Sequence, residues 1–590
     1  MNLLQLWQHR FQDALSGLAT DPAPYAAMVK PAQDARFGDY QANCAMSLAK
    51  VLGRKPREVA QEIVQRLKVD DVAEPPEVAG PGFINLRLRT DWLAGQVQNM
   101  ARGDRLGLDL PRPARTLVID FSSPNVAKPM HVGHLRSTII GDSLARLFRF
   151  LGHQVSTDNH LGDWGTQFGM LLYGYKHFRD DQALTNDPVR EMVRLYKMVQ
   201  QKIAEEEKAG SQPVTEAARR ETAQLHGGDP ENVALWKEFM PWCLEEIDRI
   251  YRRLDVHFDY TLGESSYNPM LPEVVQDLLQ HGIAQRGEEG AVALFFGEGE
   301  SKTVAVIQKG DGAFTYTTTD LATIQYRMER WKPDAILYVV DSRQALHFKN
   351  LFEAARRWGY DRVALEHVSF GSVLGPNGKP LKTRTGENVE LSQLLDEAVV
   401  HGREVYEQLR QERIARGQEV PDLSEEERCQ VAEVVGLGAV KYADLSQNRT
   451  SDYVFSWDKM LDLKGNTSAY MQYAYVRVRG IFRKGEEDPQ RFRARPSRPY
   501  LEQPQERALA LQLLRLGEAL EAAAAEYKPN LITAYLWDLA RAYSGFFENC
   551  PVLTADTPMR RESRLLLSDL TARVIQQGLQ LLGIRTVERM

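Results

Sequence analysis

Cysteine is scarce in this sequence and widely spaced. Cys44, Cys243, Cys429 and Cys550 are the only four in 590 residues, and none forms a C-x-x-C pair. That spacing argues against a disulfide framework or a zinc ribbon, so no structural zinc or other bound metal site is expected and a reducing, cytoplasmic compartment fits. Long apolar runs are also missing. No stretch approaches the roughly 20 residues that span a bilayer, so no membrane partner is expected. The opening MNLLQLWQHRFQDAL carries charges within its apolar pattern, unlike the unbroken core of a secretory signal. Nor is there an excess of basic residues. The formal net charge is −7, which neither marks nor excludes a nucleic-acid binder, because binding needs a basic face and not a basic total. Internal repeats and low-complexity tracts are absent.

What is present is ordinary for a globular chain: 43% hydrophobic and 26% charged residues. At about 100–200 residues per domain, three to five domains are expected. Residues 1–110 read as a small α+β module, helical over 40–66 with a strand in PGFINLRL (81–88), and PRPAR (111–115) reads as a linker. TLVIDF (116–121) is a short β-branched run typical of a buried strand. The loop SSPNVAKPM follows, then a helical pattern to Gly152, then a second strand in HQVSTDNH. Strand–helix–strand is the unit of a parallel α/β sheet. Residues 180–245 read as a polar helical insertion, and 270–312 as a second insertion. Further strands are expected in HFDYTLG, AVALFF, TVAVIQ, AILYVV and HVSFGSVLG. From about 400 onward only helical patterns appear, with 485–505 the clearest loop. The expected domains are 1–110, 111–400 and 401–590.

The sharpest chemical signal is His131-Val-Gly-His134 at the start of a helix that follows a strand. Histidines three apart share one helix face, and a helix N-terminus offers free N–H groups and positive potential to a phosphate. Gly133 lets a base or phosphate approach the backbone, and the imidazoles can donate to oxygens that gain charge. Alone, the pattern is more often two surface histidines near a cap; the strand–loop–helix setting and the surrounding residues shift the reading.

The wider segment FSSPNVAKPMHVGHLRSTIIGDSLARL (121–147) resembles the signature of arginyl-tRNA synthetases, which are class I synthetases. DNHLGDWGTQFG (158–169), FGDYQANCAMSLAK, TYTTTDLA (315–322), GNTSAYMQYAYVRV (465–478) and the final LLGIRTVERM resemble the same family, so the likeness runs through essentially the whole chain. It implies a multidomain α/β fold: a Rossmann-type doubly wound parallel catalytic core with insertions, an all-α C-terminal anticodon-binding domain and a small α+β N-terminal domain that also touches tRNA. It implies the reaction too: ATP, with Mg2+, and L-arginine give arginyl-adenylate, and arginine then passes to the 2′-hydroxyl of the terminal adenosine of the arginine tRNA. Family members commonly need bound tRNA before they activate arginine, and a monomer is expected.

The resemblance also assigns roles. GKPLKTRTG (378–386) matches the second class I signature loop, with Leu381, Lys382, Thr383 and Arg384 on its last four positions. Thr383 stands where the usual second lysine would be, leaving the phosphates one cation short. Lys128, three residues before His131, is the candidate replacement. The catalytic set is then Lys128, His131, Gly133, His134 and Lys382; ATP would meet His131, His134, His347, Lys379, Lys382 and Arg384. A guanidinium is planar, permanently charged and rich in donors, so its pocket needs carboxylates. Tyr316 and Asp320 are four apart and share a face if a helix starts there; with Glu264 they match the substrate side-chain pocket. Ser123, Asn125 and Gln344 are candidates for the rest of the arginine. In the C-terminal region Tyr470, Tyr473, Arg477 and Arg479 are candidates for tRNA contact, since basic groups neutralise phosphates and aromatics stack bases; on composition alone a solvated helix face with packed tyrosines fits as well. Two other readings stay open: another class I synthetase such as a cysteinyl enzyme, and a catalytically inactive relative that only binds tRNA.

Overall fold

The computed structural model describes residues 1–111, 113–297, 303–379, 381, 389–417, 420 and 422–590. Its centre is a five-stranded parallel sheet, and the strand sequences show why it is central. In β5 (Thr116–Asp120) Leu117, Val118 and Ile119 are fully buried, as are Ala335, Ile336 and Leu337 in β11 (Ala335–Tyr338). Strands this apolar on successive residues need cover on both faces. The order is β12 (Ala364–His367), β11, β5, β6 (Gln154–Asn159), β7 (Tyr260–Thr261). In chain order that is 5-4-1-2-3, so the winding reverses between β5 and β11, and ligands collect at the carboxyl ends around such a reversal. One face is covered by the helix Val132–Leu151, the signature helix; Gly141 in it lies so close to Phe121 that any side chain there would collide. Val118, Ile336, Tyr338 and Leu365 on the other face join a separate core with the helices Tyr316–Trp331 and Ala345–Arg357.

The N-terminal module carries a four-stranded antiparallel sheet, ordered β1 (Val29–Pro31), β2 (Tyr40–Ala42), β4 (Phe83–Leu86), β3 (Glu77–Ala79). The helical reading of 40–66 is therefore corrected at its start. Tyr40 and Ala42 alternate buried in β2, and helix begins only at Cys44. This module docks on the C-terminal helices: Arg507 grips both carboxylate oxygens of Asp39 at 2.8 Å. A second antiparallel sheet, β8 (Ala284–Arg286), β9 (Val292–Phe296) and β10 (Thr303–Gln308), lies in the 270–312 insertion.

The C-terminal third is almost entirely helical, with two departures from expectation. Tyr453–Val454 (β14) is a short strand, parallel to β13 (Val373–Leu374). Within 485–505, Pro489–Ala494 forms a short helix capped by the Asp488 side chain. Residue 400 falls inside the helix Leu391–Ala415.

Candidate active site

The loop after β5 turns sharply. Ser122 and Ser123 both take left-handed φ, 69° and 46°, a costly conformation for non-glycine residues that needs support from its surroundings. Side-chain bonds supply it. Ser122 N–H donates to Ser137 Oγ (2.8 Å), and Ser123 N–H to Asn159 Oδ1 (3.1 Å). Ser123 Oγ donates to Asp120 Oδ1 (2.9 Å). Asn125 is bridged to Gly162, its amide donating to Gln167 Oε1 (3.3 Å) and its carbonyl oxygen accepting from Ala127 N–H.

The signature helix then starts at its two histidines. His131 Nδ1 accepts from Gly133 N–H, and His134 Nδ1 accepts from His131 N–H, both at 3.1 Å, with the rings 4.0 Å apart. Burial, aided by the charges of His131 and Lys128, holds His134 down to about 3; burial and Lys128 lower His131 too. Both rings are therefore neutral near pH 7, and with Nδ1 accepting, each carries its proton on Nε2. Two uncharged N–H donors sit at the helix N-terminus, and the charge of Lys128 reaches both. Gly133 has a further role the sequence did not reveal. A Cβ there would come within 2.8 Å of the His131 ring, so glycine makes room for that ring to cap its own N–H.

The second signature is joined to the first. Val132 N–H donates to Val389 O (3.0 Å) and Leu391 N–H to Met130 O (2.9 Å). Lys379 is placed, at a turn where its N–H donates to Asn377 Oδ1 (3.0 Å); Lys382, Thr383 and Arg384 lie outside the described residues.

The other group of candidate residues is acidic. Tyr316 opens the helix that carries Asp320 one turn on. Glu264 opens a short helical turn behind β7. Burial pushes the Glu264 carboxyl above its ordinary range; His160 counteracts this, while the charges of Asp163 and Asp320 add to it. Among the described residues no hydrogen bond or ion pair engages the Glu264 carboxylate. His347 Nε2 donates to Asp320 Oδ2 at 2.7 Å, and its ring meets Tyr316 edge-on at 4.9 Å. The resemblance put His347 with the nucleotide; the structure seats it against Asp320 and Tyr316. Gln344 is exposed in the turn after β11.

Known proteins match this arrangement along the whole chain. Residues 96–457 match the family model for tRNA synthetases class I (R), catalytic domain; 471–590 match the DALR anticodon binding domain, and 5–88 the arginyl tRNA synthetase N terminal domain. An arginine–tRNA ligase from Rhodopirellula baltica is 44% identical, with 100% of both chains covered. One from Synechococcus elongatus is 44% identical, over 98% of each. The chain belongs to the arginyl-tRNA synthetase family. The crystal structure of arginyl-tRNA synthetase from Plasmodium falciparum superposes with a TM-score of 0.83 at 28% identity, covering 100% of this chain and 99% of that one. Arginyl-tRNA synthetase from Thermus thermophilus shares the fold, with a TM-score of 0.81 at 24% identity and full coverage of both.

Several residues that shape this synthetase's site escaped the sequence. Arg327, fully buried, pairs with Asp120 (2.6 Å) and Asp158 (2.8 Å) at the ends of β5 and β6. It stands on the helix of Asp320, and Asp120 in turn holds Ser123, so one guanidinium ties the two halves of the site together. The only signal was an aspartate closing the apolar strand TLVID and another next to the end of the polar strand QVSTDN. Arg136 on the signature helix pairs with Asp444 (3.1 Å) and donates to Gly371 O and Ser451 O, anchoring the strands beside the second signature. The 180–245 insertion buttresses the DWG turn: His226 Nε2 donates to Trp164 O (2.6 Å) and Trp236 Nε1 to Asp163 O (2.9 Å), while Asp163 accepts from Ser265, next to Glu264.

The candidate tRNA residues divide. Arg477 stacks on Tyr473 (4.7 Å) and on the partly exposed Phe547 (5.4 Å), forming a cationic aromatic surface. Arg479 is engaged by Glu588 (2.8 Å) and Tyr470 packs on Trp537, so both serve internal contacts.

Proposed function

We propose that this chain charges its tRNA with arginine in two ATP-dependent steps at the carboxyl ends of the parallel sheet. An arginine carboxylate oxygen attacks the α-phosphorus of ATP, the bond to the β-phosphate breaks, and pyrophosphate leaves. The terminal 2′-hydroxyl of the tRNA then attacks the arginyl carbonyl, and AMP leaves. The observation that carries this reading is the pairing of unlike ends. At one, a helix N-terminus carries two neutral Nε2–H donors and the Lys128 charge; at the other, an unpaired Glu264 stands with Asp320. The first suits a transition state gathering negative charge on phosphates, and the second suits a guanidinium.

In this reading His131, His134, Lys128 and the Lys379–Arg384 segment handle ATP. Glu264, Asp320 and Tyr316 take the arginine side chain, while Ser123, Asn125 and Gln344 take its amino and carboxylate ends. Mg2+ arrives bound to ATP and screens its phosphates; among the described residues no cluster of three His, Cys, Asp or Glu side chains could hold a metal by itself. The helical C-terminal domain, with Tyr473, Arg477 and Phe547, grips the anticodon arm, and the N-terminal module is a second contact. The functional units are 1–110, 111–400 and 401–590, in a cytoplasmic monomer. Among the described residues no helix is long and apolar enough to cross a membrane.

Amino-acid-dependent pyrophosphate exchange, run with each of the twenty amino acids and with arginine tRNA present, tests the reading. Exchange with arginine alone is expected. Exchange with another amino acid would point to a different class I enzyme, and tRNA binding without any exchange to an inactive relative.

A further inference from the structure

His347 begins the helix Ala345–Arg357, directly after the turn that carries Gln344. Its side chain is only 14% exposed and faces the pocket helix. A carboxylate can only accept, so at 2.7 Å from Asp320 Oδ2 the Nε2 atom must carry a hydrogen. The ring also packs edge-on against Tyr316, which is 65% exposed. Among the described residues Asp320 Oδ1 has no partner. The sole bond thus fixes one oxygen of the carboxylate and leaves the other open.

We propose that His347 is a positioning residue for arginine recognition: it fixes the Asp320 carboxylate and the Tyr316 ring in the geometry that receives the guanidinium. This rests on the reading of Asp320 and Glu264 as the guanidinium's partners. A carboxylate free to rotate would lose part of its bidentate fit, and a buried or half-buried first contact is generally held by a second residue behind it. The imidazole does this at no electrostatic cost only when neutral. Protonated, it would place a cation beside the incoming guanidinium and compete for the same carboxylate. The groups facing it are Asp320 and Tyr316 on the pocket helix, Glu264 acting through Asp320, and Phe348 on its own helix. Beyond Phe348 lies His367, whose Nε2 is engaged by Val340 O.

The test compares His347→Gln and His347→Ala with wild type and with Asp320→Asn. Expected for His347→Ala is a rise in arginine KM of about ten- to a hundredfold, with the ATP KM within about twofold of wild type. Glutamine, which still offers an N–H to the carboxylate, should recover part of that loss. A purely structural role would not split the two substrates in this way and would not be rescued by glutamine. An ATP KM that rises while arginine KM holds would overturn the proposal and return His347 to the nucleotide. So would unchanged constants for both substrates, or a glutamine variant no better than alanine. If Asp320→Asn leaves the arginine KM intact, the pocket reading itself fails, which is a separate result. Should the alanine variant not fold, the glutamine variant carries the test, with a smaller rise in arginine KM and an unmoved ATP KM.

Discussion

The two ends of the site are built by opposite strategies. At the proposed nucleotide end the groups of the first signature are local: two histidines within four residues cap one helix, each held by a backbone N–H, and a lysine three residues upstream supplies charge. At the amino-acid end the groups come from distant segments: Glu264 behind β7, Asp320 on the pocket helix and His347 after β11. The two histidine donors of the first end are already oriented without a ligand. The second is unfinished, with like charges gathered and Glu264 unpaired. A preformed field of donors can wait in water, whereas clustered carboxylates raise one another's affinity for protons until a cation arrives. The difference teaches where each substrate's binding energy originates, and it can be broken by substitutions that strike one end alone.

The largest effect is expected at the acidic end. Asp320→Asn keeps the shape and removes the counter-charge. Breaking such a partly desolvated pair typically costs about 3–5 kcal/mol, so kcat/KM for arginine should fall by about two to three and a half decades. The ATP KM should hold. Steady-state aminoacylation at varied arginine and then varied ATP checks both; a loss below about fivefold for arginine would remove Asp320 from the pocket.

Lys128→Ala is the matching blow to the other end. Losing one charged stabiliser of a transition state costs about 3–4 kcal/mol, or about two to three decades in rate. The loss should fall on adenylate formation, read by pyrophosphate exchange or single-turnover activation. A near-normal activation rate would make Lys128 an ordinary loop lysine.

A smaller effect concerns how the nucleotide end is completed. Thr383 leaves the second signature without its usual lysine. The strand ahead of it, β13, is tied through β14 and the Arg136 bonds to residues 451–454 in the C-terminal third. Bound tRNA is therefore expected to act on this signature from a distance. Omitting tRNA should cut arginine-dependent exchange by at least about tenfold, equivalent to about 1.4 kcal/mol. Robust exchange in its complete absence would contradict the link.

What was legible from sequence follows the same division. The histidine pair, its helix and the Tyr316–Asp320 spacing are properties of one short segment, and local pattern revealed them. Arg327 and its two aspartates are separated by 207 and 169 residues, and Arg136 and Asp444 by 308. No period in the sequence marks such pairs, because buried charge is specified by three-dimensional neighbours. β14 was missed because two residues become a strand only when β13 lies beside them. Tyr40–Ala42 was read as helix because good helix formers follow it, while its pairing with β4 is non-local. His347 was placed by resemblance, and only the structure puts it 2.7 Å from Asp320.

The smallest expected effect tests whether the nucleotide end is held neutral. Burial lowers His134 from its ordinary 6.5 to about 3. Its folded-state affinity for protons is thus below its unfolded one. Between these values the unfolded chain binds a proton that the folded chain refuses, so stability is lost as pH falls through that window and is intact above it. At pH 5.5, about one unit below the unfolded value, the full linkage would be about 1.4 kcal/mol. The ring is only half-buried, and screening by solvent reduces this to about 1 kcal/mol. His134→Gln keeps an acceptor for the His131 N–H but cannot titrate. Denaturant unfolding of the catalytic domain at pH 7.5 and 5.5 should show wild type losing about 1 kcal/mol more than the variant between the two conditions. Parallel losses would mean that His134 titrates normally in the folded state, and the two ends of the site would then differ less in their electrostatics than their hydrogen bonds imply.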